Sequence, residues 1–468
     1  MKTFPHRLSV VFLAVLFASR AWAADLPPSL KALEKKGARV GAVFMVNGKA
    51  VIRHRAAEKF NPASVTKLFT AALALDVLGG DRTLSTRVVA SSKGRNPKAL
   101  TVIGSGDPVL THGDLADLAA CVKKRGVRRV GRLALDLGPF DRHALPPAFG
   151  QKSTEAPYRA GIGGFQVDFN RVVIKVSAGR PGKRPRVTVT PKSAYTRVKN
   201  KATTSRRKRR RRHGLAVRTA AVKDGRMDVR VTGTARRGRS EVVAKRVFHP
   251  ARHAGYVFRR ALRNTGVKVI KGPVLGKAPK GGRRLCSHTS PTVSSMLRPM
   301  LKSSQNQIAE SLLRLSGAKG AKGPVGFTEG PRAMKKFLVD RVGLKAESFR
   351  FKNGSGLYDA NRVTPSAAVR LLSYVLDEAA MAPIIDALPI AGTDGTLRSR
   401  LSKTPLAGRV RAKTGTLDEA VSLAGYMELP NGRIVVFAVM VNGRKLNARS
   451  VRKATDRALL DVYRKMIR

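Results

Sequence analysis

The chain is 468 residues long and carries 92 Lys or Arg against 29 Asp or Glu, a formal net charge of +63, while 43% of its residues are hydrophobic. That apolar fraction supports about two to four packed domains and excludes wholesale disorder; no 18-residue apolar run exists beyond the N-terminus, which excludes a polytopic helical membrane protein. Two cysteines, Cys121 and Cys286, are too few for a disulfide scaffold or a Cys-rich metal site and leave room for one long-range disulfide.

In chain order, Lys2, His6 and Arg7 precede the apolar stretch Leu8–Ala18, and Ala21-Trp22-Ala23 precedes Ala24. The pattern predicts a secretory signal peptide over residues 1–23. The mature protein would then start near Ala24, be exported or periplasmic, carry no transmembrane span and lack the one tryptophan, Trp22. Val40–Val46 and Ala50–Ile52 flank Asn47-Gly48, a dipeptide suited to a type I′ hairpin. Apolar periodicity predicts helices over Val65–Leu78, Leu115–Arg125, Ala251–Asn264, Val293–Leu315, Pro331–Val342 and Pro365–Leu376. Between them, Arg180–Arg212 holds 15 Lys or Arg in 33 residues and no acid, ending in the solvated run Arg206–Arg212. Its neighbours Val187–Thr190 and Met227–Thr234 alternate like strands. Near the end, Leu423–Leu429 and Ile434–Val441 flank Asn431-Gly432, and an amphipathic helix follows over Ala448–Ile467. That helix is basic, with Arg452, Lys453, Arg457, Arg464, Lys465 and Arg468; packing on a sheet is favoured over a peripheral membrane anchor. Two terminal hairpins and a final helix predict an α+β fold in which one antiparallel sheet is assembled from both chain ends and interrupted by insertions.

Chemistry enters at Asn61-Pro62-Ala63-Ser64-Val65-Thr66-Lys67, a turn leading into a helix on which Ser64 and Lys67 share a face. A serine hydroxyl is a poor nucleophile until a base takes its proton, and a desolvated lysine one turn away is such a base. Alone the spacing says little, because Ser205, Ser316 and Ser450 head the same S-x-x-K pattern and a helix-capping serine beside a solvated lysine explains it equally. Two later motifs change that. Ser304-Gln305-Asn306 sets a hydroxyl and a carboxamide two residues apart, in a helix-like stretch from Lys302 to Leu315. Lys413-Thr414-Gly415 precedes the last hairpin, with Thr416 placed to offer a backbone N–H. Read separately they are turn or cap residues and an edge strand ending at a glycine. Together, in this order, they are the S-x-x-K, S-x-N and K-T-G set of penicillin-recognising serine enzymes.

On these motifs the chain resembles the D-alanyl-D-alanine carboxypeptidase/endopeptidases, the low-molecular-mass class C penicillin-binding proteins. Asn353-Gly354-Ser355-Gly356-Leu357, Asn361-Arg362-Val363-Thr364-Pro365, Gly104-Ser105-Gly106-Asp107-Pro108 and Ala391-Gly392-Thr393-Asp394-Gly395-Thr396 are similar to further stretches of that family. Asn353 and Gln305 depart from it, each standing where Asp is usual. The resemblance implies a β-lactamase-like serine transpeptidase domain over 24–85 and 285–468, an inserted domain over 86–176 and 249–284, and a β-rich basic domain over 177–248 nested within that. The 240 residues between Ser64 and Ser304 agree with a large insertion and disfavour a compact β-lactamase. It further implies that Ser64 is the nucleophile, Lys67 its base and Ser304 a proton relay, with Asn306 on the substrate amide. Lys413, Thr414, Gly415 and Thr416 would bind the substrate's terminal carboxylate region, and the backbone N–H groups of Ser64 and Thr416 would form an oxyanion hole. Peptidoglycan stem peptides are the implied substrates and β-lactams the covalent inhibitors; no cofactor or metal is called for.

Competing signals are thinner. His249 and His253 have metal-ligand spacing, but Pro250 interrupts the turn and no H-E-x-x-H glutamate lies between them. No G-x-S-x-G elbow is present. Two rival functions are a β-lactamase of the same fold and a polyanion-binding protein with a vestigial serine site. Export and the loss of Trp22 speak against nucleic acid, so Arg206–Arg212 points instead to anionic cell-envelope polymers.

Overall fold

The computed structural model of the protein describes residues 25–206 and 214–467. The leader reading over residues 1–23 and most of the arginine-rich run, Arg207–Arg212, lie outside the described residues.

Both chain ends do build one sheet. Its strands run in the order Val410–Thr416, Ala420–Glu428, Ile434–Asn442, Arg39–Val46, Lys49–His54, and every neighbouring pair is antiparallel. At the first hairpin Asn47 and Gly48 have φ of 48° and 78°, as a type I′ turn requires. The last hairpin is wider than its Asn431-Gly432 suggests: Leu429 N–H already bonds Arg433 O, and Gly432 alone of the two takes a positive φ. Side chains alternate between faces with period two. Val43, Ala424, Tyr426 and Ala438 face one core, with the helices Thr66–Leu78, Asn306–Ala318 and Pro365–Asp377. Val40, Ala42, Phe44, Phe437 and Val439 face the other, covered by the helices Pro28–Glu34 and Ala448–Ile467. The final helix buries Val451, Ala458, Leu459, Val462 and Tyr463 in that second core, so its apolar stripe is spent on the sheet.

Helix Thr66–Leu78 is central: residues Thr66 through Leu75 are all buried, the signature of a helix enclosed on every side. One expected element is divided. The apolar pattern over Val293–Leu315 predicts a continuous helix, but the chain forms Val293–Lys302 and Asn306–Ala318, separated at Ser304, whose φ is 57°. Pro299, inside the first of these helices, and the left-handed serine explain the break. Two short helices, Pro28–Glu34 and Ala382–Ala387, are too brief to show a periodicity in sequence.

A second five-stranded sheet has the order Lys268–Leu275, Arg129–Asp136, Ala99–Ile103, Ser85–Ala90, Arg283–Thr289 and is part parallel. Helices His112–Lys124 and Pro250–Asn264 share its core, which includes Leu100, Leu118, Leu133 and Phe258. A disulfide joins Cys121 on the first of these helices to Cys286 on the edge strand. A fourth core, with Val172, Ile174, Tyr195, Met227 and Val229, gathers the small strands between 171 and 246. Residues 137–170 run back from these layers to the first core. Phe140 is buried there, Gln166 Nε2 donates to Ser311 Oγ at 3.0 Å, and Arg314 donates to Asp141 at 2.6 Å and to His143 O at 2.8 Å.

Candidate active site

The turn that carries Ser64 is held from three sides. Asn61 Oδ1 accepts the Ala63 N–H at 3.0 Å, closing the turn locally. Asn442, at the end of its strand, accepts the Asn61 N–H at 2.7 Å and donates to Asn61 O at 3.1 Å, which fastens the turn to the sheet. Gly356, at φ 74°, lies so close beneath it that a Cβ there would stand 1.9 Å from Ala63 O and 2.5 Å from Thr66 Oγ1. From this support a 3₁₀ turn over Ala63–Val65 passes directly into helix Thr66–Leu78. Ser64 is half-buried, open enough to be reached, and Lys67 is fully buried.

Lys67 Nζ makes three contacts of equal length, 2.8 Å each, to Ser64 Oγ, Asn306 Oδ1 and Ser355 O. An ammonium can donate to all three. A neutral amine has two N–H groups and one lone pair, and two of its partners are carbonyl oxygens with no proton to give. The lone pair must therefore face the one hydroxyl, Ser64. Burial, reinforced by the Lys413 charge and opposed by Glu310, holds the Lys67 ammonium well below the ordinary lysine range.

Ser304, in the gap between two helices, accepts from Lys413 Nζ at 3.1 Å, and the same ammonium donates to Thr414 O at 2.7 Å. Lys413 has no exposed surface, and burial brings it down to about 7. It lies on the edge strand Val410–Thr416, whose Gly415 packs against the nucleophile turn: a Cβ at Gly415 would meet Ser64 N at 3.1 Å and Pro62 O at 2.8 Å. Thr414 Oγ1 donates to Thr396 Oγ1 at 2.7 Å, and exposed Thr416 takes a hydrogen bond from Arg452 at 3.0 Å. The predicted residues thus converge. Ser64, Lys67 and Asn306 are joined by one set of bonds, Ser304, Lys413 and Thr414 by another, and Gly415 and Thr416 close the edge. By contrast His253, on helix Pro250–Asn264, has its ring against Tyr195 and both nitrogens without a hydrogen-bond partner; burial pushes it down to about 3. His249 stands at the start of the same helix without capping it through its side chain, and the two build no site.

Comparison with known proteins identifies the family. Residues 24–463 match the family described as D-Ala-D-Ala carboxypeptidase 3 (S13). The chain belongs to that family. A protein named D-alanyl-D-alanine carboxypeptidase from Actinomadura sp. is 33% identical over 92% of this chain and 83% of its own length. D-alanyl-D-alanine carboxypeptidase DacB of Haemophilus influenzae is 29% identical over 81% of this chain and 80% of its own. The crystal structure of penicillin binding protein 4 (dacB) from Haemophilus influenzae superposes with a TM-score of 0.80 at 24% identity, covering 93% of this chain and 99% of that one. The same protein complexed with a β-lactam gives 0.75 at 25% identity over the same shares.

Other residues of this S13 carboxypeptidase site carry no motif. Glu310, buried on helix Asn306–Ala318, accepts the N–H groups of Gly354 at 3.1 Å and Ser355 at 2.8 Å. Nothing in the sequence sets it apart, because the helix face it shares with Asn306 also carries Arg314. Asn306 Nδ2 donates to the backbone carbonyl of Tyr158, from the inserted segment, at 2.9 Å; a backbone partner leaves no trace in sequence. Asn353 explains its own departure from Asp. Its Nδ2 donates to Pro147 O at 3.1 Å and Leu357 O at 3.2 Å, which a carboxylate cannot do, while its Oδ1 takes the Gly356 N–H at 2.9 Å.

Proposed function

We propose that this protein is a serine DD-carboxypeptidase and DD-endopeptidase that cleaves D-Ala-containing stem peptides of peptidoglycan through an acyl-enzyme on Ser64, and that β-lactams acylate the same oxygen. The observation that carries the reading is the coordination of Lys67, which leaves its lone pair one direction to point, toward Ser64 Oγ at 2.8 Å. As Oγ bonds to the carbonyl carbon of the penultimate D-Ala, its proton passes to Lys67 Nζ. The oxyanion is received by the N–H groups of Ser64 and Thr416, on the turn and the strand that Gly415 allows to approach. Loss of one such donor typically costs about 3 kcal/mol.

When the C–N bond breaks, the leaving amine takes a proton through Ser304, whose hydroxyl is bonded to Lys413. Asn306 offers its amide to the substrate beside Tyr158, and the hydroxyls of Thr414 and Thr416 with the field of Lys413 hold the substrate carboxylate. Water then attacks the ester: its hydroxyl bonds to the acyl carbon, its proton goes to Ser64 Oγ as the ester bond breaks, and the proton left on Lys67 makes good the one lost through Ser304. None of these steps requires a metal or a cofactor. The leader over residues 1–23 places this chemistry outside the cytoplasm, and the run Arg206–Arg212 is the candidate contact for anionic envelope polymers.

The test is labelling with a fluorescent penicillin and peptide mapping of the adduct, alongside hydrolysis of a D-Ala-D-Ala peptide. An adduct on the segment Asn61–Lys67, and loss of both labelling and hydrolysis in Ser64→Ala, are expected. Labelling at Ser205, Ser316 or Ser450 overturns the assignment. Rapid penicillin turnover without peptide cleavage indicates a β-lactamase.

A further inference from the structure

Lys67 is oriented by two carbonyls, and one of them, Ser355 O, belongs to a loop with no regular structure of its own. Something must hold that loop. The segment Gly354-Ser355 turns both its N–H groups onto the Glu310 carboxylate, one to each oxygen, at 3.1 and 2.8 Å. Behind it Thr70 Oγ1 donates to Gly354 O at 2.7 Å, and Asn353 Oδ1 holds the Gly356 N–H. Glu310 is 1% exposed and lies one helical turn beyond Asn306, the residue that supplies the other carbonyl-type acceptor to Lys67. One helix therefore sets both acceptors, the first by its own side chain and the second through a clamped loop.

We propose that Glu310 is a positioning residue for acylation: its carboxylate fixes the Ser355 carbonyl on Lys67, and its negative charge receives the ammonium that forms there when Ser64 is deprotonated. The inference rests on the assignment of Ser64 as nucleophile and Lys67 as base. Burial raises the Glu310 carboxyl above the ordinary range, while the Ser355 hydroxyl and the Gly354 and Ser355 N–H groups, the latter one on each oxygen, oppose that and favour the ionised form. Charged groups that bear on Lys67 are Lys413, which disfavours its ammonium, and Glu310, which favours it. Glu310 thus sets how strong a base Lys67 is, as well as where its lone pair points.

Glu310→Gln keeps the shape and removes the charge. The rate constant for penicillin acylation is measured from pH 4 to 9, with the adduct mapped in wild type and folding followed by circular dichroism. In Glu310→Gln the acid limb of the profile is expected to move down by about one pH unit, since an opposite charge has been withdrawn from Lys67. The plateau is expected to fall by more than about tenfold as general-base catalysis weakens. Glu310→Asp retains charge but not reach, so its limb should stay in place while its plateau falls. A purely structural residue would lower the plateau without moving the limb, so an unmoved limb in Glu310→Gln overturns the proposal. If Glu310→Gln does not fold, Glu310→Asp decides, and an unchanged plateau overturns it. A wild-type adduct outside Asn61–Lys67 overturns the serine assignment and this inference together, whereas a Ser64 adduct with an unmoved limb overturns the inference alone.

Discussion

Replacing Gly356 by Ala tests the nucleophile turn without removing a single reacting group. The new Cβ would stand 1.9 Å from Ala63 O and 2.5 Å from Thr66 Oγ1, where ordinary contact distances are about 3.5 Å, so the turn must retreat by more than about 1 Å. A residue with a Cβ at φ 74° also bears about 1–2 kcal/mol of left-handed strain, and overpacking adds about 1–3 kcal/mol. The catalytic unit should lose about 2–5 kcal/mol in denaturant unfolding by these terms. Because Ala63 immediately precedes Ser64, the retreat separates Oγ from Lys67, and a misplacement of about 1 Å lowers a reaction rate roughly 100-fold. The assay is the rate constant for acylation by a fluorescent penicillin, compared with Gly432→Ala. Gly432 has almost the same φ, 75°, but nothing within 4 Å of its would-be Cβ, so that variant carries the strain without the clash. It should acylate at the wild-type rate. Gly356→Ala acylating within threefold of wild type would refute the argument that this glycine sets the position of Ser64.

His253 should make the fold acid-sensitive. Its pKa lies near 3 when folded against 6.5 as the ordinary value, so folding holds it neutral, and stability present above pH 6.5 is lost as pH falls toward the folded value. The loss is about 2 kcal/mol at pH 5 and should vanish from unfolding curves of His253→Phe. For Lys413, burial already brings the ammonium to about 7, so the KM for a peptide with a free terminal carboxylate should rise about tenfold from pH 7 to 9, the worth of one charge-assisted hydrogen bond. A substrate lacking that carboxylate should show no rise; parallel curves would remove Lys413 from carboxylate binding. Replacing both Cys121 and Cys286 by Ser should cost the second-sheet unit about 2–4 kcal/mol, since the link closes a long loop. Penicillin acylation should stay within threefold, and a larger loss would couple that unit to the site.

The residues that announce chemistry were legible because the reaction needs particular side chains at particular spacings. Ser64, Lys67, Ser304, Asn306 and Lys413 come together as their motifs suggest, and both Asn-Gly pairs mark hairpins of the sheet, the first at its edge and the second between interior strands. What stayed hidden is carried by backbone or by burial. The left-handed conformation of Ser304 divides what reads as one helix; the break falls in the polar run Lys302–Gln307, and periodicity reports which face is buried and not where the chain turns. Glu310 reads as an ordinary surface acid until the loop it clamps is seen. Tyr158 enters through its carbonyl, and the burial of Lys413 depends on strands and helices distant in sequence.

The pairing of Arg39–Val46 with Ile434–Asn442 also governs when activity can begin. The serine and its lysine are translated early, yet the turn that presents them is fastened to Asn442 and packed against Gly415 of the strand bearing Lys413. A nascent chain that has emerged only as far as Asn306 possesses its nucleophile, its base and its amide, and lacks three of the five strands of the sheet that assembles them. Such a hydrolase is born latent. Its competence arrives in one late event, when the last strands seat against the first, and a polypeptide cut short before Asn442 would be inert toward the wall rather than partially active.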